Sequence, residues 1–164
     1  MKKLILIPAL IIALFMSACA ASIPSEAAVP EGTAPPEESA SPQKSELESY
    51  MTSLEESSDA IHTSLETEAL TQAEMNEKSH QLYELWDDAL NYLWRELKAA
   101  LPEEEFSILL EEQLIWIKDK EQAVEEIGRD FQGGSMYVLV TSSEAARITE
   151  ERVWEFYDIL MHAD

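Results

Sequence analysis

Residues 71–100, TQAEMNEKSHQLYELWDDALNYLWRELKAA, are the stretch on which the fold turns. Thr71 followed three residues later by Glu74 is a capping box, in which each residue satisfies a backbone N–H that the first helical turn leaves open. Behind it Met75, Leu82, Trp86, Ala89, Leu93, Leu97 and Ala100 recur at helical spacing, so one amphipathic helix is expected to run to about Ala100. Pro102 suits the first position of a second helix, and Glu103, Glu104 and Glu105 fill a first turn where the helix dipole favours anions. The expected apolar face of this second helix is Phe106, Leu109, Leu110, Leu114, Ile117, Val124 and Ile127, with Trp116 on its flank and Gly128 at its end.

Gly133, Gly134 and Ser135 break the chain next, as a sharp turn with Ser135 capping the third helix. Met136 to Val140 is strand-like by propensity, but no second such run exists to pair with it. It is therefore assigned to the start of that third helix, which continues through Ala146, Val153, Phe156, Tyr157 and Leu160. The alternative is a fresh start at a further capping box, Thr141 to Glu144. Short connections make successive helices antiparallel, and the class is all-α: a small three-helix bundle over residues 69–164, with or without a fourth N-terminal helix. That fourth element is residues 45–68. Leu47, Met51, Leu54, Ser58, Ile61 and Leu65 form an amphipathic seam there, among Ser, Thr and Glu side chains that weaken a helix. It either docks on the bundle or forms a loose stalk.

Upstream the composition changes. Residues 1–18 read as a secretory signal: Lys2 and Lys3, an apolar run from Leu4 to Phe15, and small Ser17 and Ala18 before Cys19. Cys19, the single cysteine, is expected to be acylated and to become the first residue of the mature chain, placing it on the extracytoplasmic face of the cell membrane. The apolar run is short for a membrane-spanning anchor, which needs about 20 residues. Residues 19–44 carry Pro24, Pro30, Pro35, Pro36 and Pro42 among Ala, Ser and Glu, a composition that buries too little surface to order itself and reads as a disordered tether.

The chain has 33 Asp and Glu against 11 Lys and Arg, a net charge of −22, and removing Lys2 and Lys3 with the signal would take it to −24. Nucleic acid and anionic head groups would be repelled, so contact with the membrane is expected through the lipid alone, and the favoured partners are cationic proteins, cations or neutral glycans. Catalysis finds little support. Three histidines, no cysteine beyond Cys19 and no glycine-rich phosphate loop leave no nucleophile constellation. Glu77 and His80 have the Glu-x-x-His spacing of di-iron bundles, but Asp59 to His62 is a poor second copy, so no metal or cofactor is expected. The glutamates fall on outward helix positions, where solvation is a simpler role than that of a glycosidase acid pair.

Five segments follow in order: Thr71 to Asn76; Asp88 to Tyr92 with Leu97; Gln113 to Ile117; Gly133 to Ser135; and Thr149 to Arg152. By that order and spacing, over about Thr71 to Leu160, the chain resembles the LprI-like lysozyme-inhibitor domain family. The resemblance implies a small helical domain on an exported, often lipidated protein that binds and blocks lysozyme. It also exposes a departure: where family members commonly carry cysteines, this chain has Glu77 and Lys78, Ala123 and Val124, and Glu144 and Ala145, so packing alone must hold the fold. Of the recurring residues, Asn91 is expected to bond across the bundle, Gln113 and Trp116 to pack or bond from the second helix, and Arg152 to bridge to a carboxylate such as Asp88. These are structural roles at a helix seam.

Two readings of function are open. In the first, the protein is a binding module, not an enzyme. Glu103, Glu104, Glu111 and Glu112 steer a cationic lysozyme or other cationic envelope protein, while the turn of Gly133, Gly134, Ser135 and Met136 supplies the specific contact that blocks its cleft. In the alternative it is a structural cell-envelope lipoprotein without inhibitory activity. A concentrated acidic patch beside an exposed apolar spot would separate the first from the second. Oligomeric state is left open by the sequence.

Overall fold

The computed structural model of the protein describes residues 42–163. The expected signal peptide, the acylated Cys19 and nearly all of the tether lie outside the described residues. Among the described residues four α-helices follow one another: α1 (Pro42–Thr67), α2 (Gln72–Ala100), α3 (Glu103–Gly128) and α4 (Tyr137–His162), with a 3-10 turn at Arg129–Phe131 between the last two. The all-helical expectation holds, and the N-terminal helix is present as the fourth member.

Local chemistry sets the boundaries. Thr71 and Glu74 form the expected capping box: the Thr71 N–H donates to Glu74 Oε2 at 2.7 Å, and the Glu74 N–H donates to Thr71 Oγ1 at 3.4 Å. The Thr71 side-chain and backbone bonds hold the Glu74 carboxyl below its ordinary pKa. Pro102 stands one position earlier than expected, as the residue preceding α3, where its carbonyl accepts from the Phe106 N–H at 2.9 Å. The strand-like run Met136 to Val140 opens α4, and Thr141 lies inside that helix with its hydroxyl donating back to the Tyr137 carbonyl, so a fresh start at Thr141 is overturned.

Helix directions are set by which ends meet. The rings of Tyr50, early in α1, and Tyr92, late in α2, are 4.6 Å apart, while Lys44 donates to the Met161 carbonyl at the far end of α4. The Trp94 ring, late in α2, packs at a tilt against Phe106, early in α3, with centroids 4.9 Å apart, and against Phe156, late in α4, at 5.5 Å. Successive helices are therefore antiparallel, and α2 and α4 run parallel. That parallel pair forms the most extensive contact in the fold, with α1 against α2 and α3 against α4. Small buried residues, Ser79 and Ala89 on α2 and Ala145, Ala146 and Thr149 on α4, let the two backbones approach. Trp86, Leu93, Leu97, Val153 and Phe156 fill the rest of the centre. α1 docks rather than dangling, burying Leu47, Met51, Leu54 and Ser58.

Candidate functional site

α3 presents two different faces, and the inward one is not the most aliphatic. Phe106, Leu109, Gln113, Trp116, Lys120 and Val124 form the stripe turned toward the bundle, with Leu109 and Gln113 buried and the others partly so. Leu110, Leu114, Ile117 and Ile127, expected in the core, are exposed, as are Ile108 and Ile115. The two stripes lie side by side on the helix cylinder, so periodicity could not choose between them.

What rolls α3 to this orientation is a polar network anchored on α4. Arg152, itself buried, donates from Nε to Gln113 Oε1 at 2.9 Å and from Nη1 to Glu155 Oε2 at 2.6 Å. Its guanidinium carbon lies 4.7 Å from the centroid of the Phe156 ring and 6.0 Å from that of Trp116. Also near Trp116, the Lys120 ammonium lies 4.9 Å from the indole centroid, 5.3 Å from the Tyr83 ring and 3.9 Å from Asp87 Oδ1. Burial lowers the Lys120 pKa against the opposing pull of Asp87 and Glu121, and raises that of Tyr83. A buried guanidinium left without acceptors costs several times what one aliphatic contact returns, so Gln113 rather than Leu114 faces α4.

Gln113, Trp116 and Arg152 are thus brought together as a structural unit. Two other expected contacts are corrected. Asn91 is exposed on α2 and does not reach across the bundle; its Nδ2 donates to the Asp87 carbonyl at 2.8 Å and to Asp87 Oδ2 at 3.1 Å, because one turn back on its own helix lies a nearer acceptor. Arg152 does bridge to a carboxylate, but to Glu155 on its own helix rather than to Asp88. Sequence reading passed over Asp87, which also accepts from the Tyr83 hydroxyl at 3.3 Å, and over Lys120; the cue was their place at helical spacing from Asn91 and Trp116 respectively.

The turn before α4 is built for shape. The Gly134 N–H donates to the Phe131 carbonyl at 2.9 Å, and Gly133 at φ +75° follows Gln132 at φ −55°, ψ 128°, the pattern of a type II turn that requires glycine at its third position. Ser135 does not cap α4, whose preceding residue is Met136; instead the Ser135 carbonyl accepts from Asn76 Nδ2 at 3.0 Å, tying the turn to the start of α2. Gly128 ends α3 with ordinary helical dihedrals, and its role is close approach: a Cβ there would meet Thr141 Cγ2 at 2.7 Å. Gly133, Gly134, Ser135 and Met136 are all exposed.

The expected steering residues Glu103, Glu104, Glu111 and Glu112 are exposed on α3, with Glu105 beside them. From Glu103 to Ile117 the helix carries these five carboxylates and no base, and among the described residues none of the five enters an ion pair. Acid and aliphatic side chains therefore share one solvent-facing surface. Among the described residues no group of three or more His, Cys, Asp or Glu side chains could hold a metal ion, and no helix is long and apolar enough to cross a membrane.

Neither a curated protein nor a solved structure matches the chain. A family does: residues 63–156, more than half of the sequence, match the family described as Lysozyme inhibitor LprI. The match begins near the end of α1 and spans α2, α3, the glycine turn and α4 as far as Phe156, so Gln113, Trp116, Arg152 and the acidic part of α3 all fall within it. By that match this chain belongs to the LprI lysozyme-inhibitor family.

Proposed function

We propose that this protein is a binding module, lipid-anchored through Cys19 outside the cytoplasmic membrane, that captures a cationic lysozyme and blocks its cleft. The observation that carries the reading is the run of carboxylates on α3, Glu103, Glu104, Glu105, Glu111 and Glu112, which enter no ion pair among the described residues and are set beside exposed aliphatic side chains in a family named for lysozyme inhibition. Unpaired carboxylates of one sign produce a field that raises the encounter rate with a basic enzyme, and nearby apolar surface gives the encounter something to hold. In this reading the tether supplies reach and the acidic domain supplies selection. The turn of Gly133 to Met136 is held by Asn76 and its own hydrogen bonds, which favours a structural role for it over insertion into an enzyme cleft.

The test is the lytic activity of a basic c-type lysozyme on cell walls as the full-length chain is titrated in, at low and high salt, beside a polyacidic bystander protein. Saturable inhibition beyond the bystander's, weakening with salt, is the expected result. Inhibition no greater than the bystander's would overturn the reading for this lysozyme class and favour the structural lipoprotein.

A further inference from the structure

The aliphatic surface of α3 has a use that the fold itself does not supply. Leu110, Leu114 and Ile117 line one edge of the helix, and Ile108 and Ile115 line another, with Glu104 and Glu111 between the two lines. Leu114 and Ile115 are 61% and 62% exposed, whereas Leu109 on the inward stripe is 6% exposed. A helix that turns Gln113, Trp116 and Lys120 inward while leaving five Leu and Ile outside is in conflict with its own hydrophobic pattern, and such conflicts collect where a partner completes the burial. We infer that the outward face of Glu103 to Ile117 is the docking surface itself, with Leu114 and Ile115 at its centre, and that its occupant is a cationic protein presenting an apolar patch ringed by Lys and Arg.

Charge selects that occupant. The face holds five carboxylates against one base at its end, Lys118, so a second copy would still set this array largely against its own image, and an anionic bilayer would be repelled in the same way. A basic rim instead pairs the glutamates while the aliphatics leave water. The inference rests on the proposed function for its partner class and goes beyond it by naming Leu114 and Ile115 as the centre of the holding contact.

Association and dissociation rates for a basic c-type lysozyme decide the matter, measured with the full-length chain, with Leu114→Ser plus Ile115→Ser, with Glu111→Gln plus Glu112→Gln, and with Met136→Ser. All these side chains are exposed, and circular dichroism of each variant checks that the helices persist. The serine pair is expected to weaken binding about tenfold or more through faster dissociation, the glutamine pair to slow association and flatten its salt dependence, and Met136→Ser to change neither. Binding that the serine pair leaves intact overturns this surface while the proposed function stands. If the unaltered chain binds no lysozyme, that function fails instead, and the surface is then decided by amide exchange in the presence of an amphipathic Lys/Leu peptide. Protection over residues 103–118 that the serine pair abolishes supports the surface; protection elsewhere, or none, overturns it. A dimer in sedimentation that the serine pair dissolves would overturn the cationic occupant in favour of a second copy.

Discussion

The α2–α4 seam and α3 solve the same problem in opposite ways. In the seam, Trp86, Leu93, Val153 and Phe156 are apolar, enclosed and where their spacing says they belong. α3 turns inward a stripe in which Gln113, Trp116 and Lys120 replace aliphatics, and holds it by hydrogen bonds and ring contacts to Arg152, Tyr83 and Asp87. The seam uses burial, which is non-directional and tolerates any partner of the right volume. The α3 interface uses directional bonds, which specify rotation about the helix axis and release an aliphatic edge for other use. A central parallel pair thus supplies the stability, and a flank oriented by polar contacts supplies a surface.

The sharpest way to break this contrast is to empty the seam. Trp86→Ala removes the largest fully buried side chain and is expected to cost about 3–5 kcal/mol in urea unfolding, a large share of the stability of a domain of this size. A loss below about 1 kcal/mol would mean that the seam is not the centre of stability.

The polar anchor should give less. Arg152→Met leaves Gln113 buried without its donor and is expected to cost about 1–3 kcal/mol, whereas Arg152→Met with Gln113→Leu should recover much of that, because two apolar side chains replace a network in which Arg152 Nη2 already lacks a partner. A double-mutant cycle on unfolding free energies measures the coupling, and a coupling near zero would remove the polar explanation for the roll of α3.

On the other flank, α1 meets α4 across like charges. Glu150 is partly buried, and its pKa is raised chiefly by that burial, with Glu151, Glu55 and Asp59 adding to the shift and His62 opposing it. A carboxyl with a raised folded-state pKa favours folding when protonated, so its contribution is present below the unfolded value and is lost as pH rises through the folded value. Glu150→Gln should therefore raise Tm at pH 7 by roughly 2 °C and make no difference near pH 3. Equal Tm values for the two proteins across this range would contradict the sign.

The smallest effect belongs to the outward face of α3. Leu114→Ser is expected to leave stability within about 0.5 kcal/mol, since a side chain 61% exposed buries little on folding. A loss of about 2 kcal/mol or more would show that Leu114 is part of the core and would end the contrast.

Much of this architecture was legible in the chain. The Thr71–Glu74 capping box, the Met75 to Ala100 face and the break at Gly133 and Gly134 depend on contacts within a few residues, which sequence spacing encodes directly. The run Met136 to Val140 was readable as helix only because no strand existed to pair with it. Where reading by periodicity failed, at Leu110, Leu114 and Ile117, two neighbouring stripes were both plausible and the choice lay with a residue 39 positions from Gln113, Arg152. Asn91 failed for a related reason: a polar residue within an apolar run has both a local and a distant acceptor, and spacing does not rank them.

The sequence by itself determined the helices, the Thr71–Glu74 cap, the glycine turn and the acidic character of the chain, because each comes from local backbone chemistry or from composition. Only the tertiary structure decided that the parallel α2 and α4 form the centre, that α1 docks, and that α3 buries its polar stripe. Those outcomes depend on how closely small side chains let two backbones approach and on where a buried guanidinium finds its acceptors, and neither quantity is a property of any one segment.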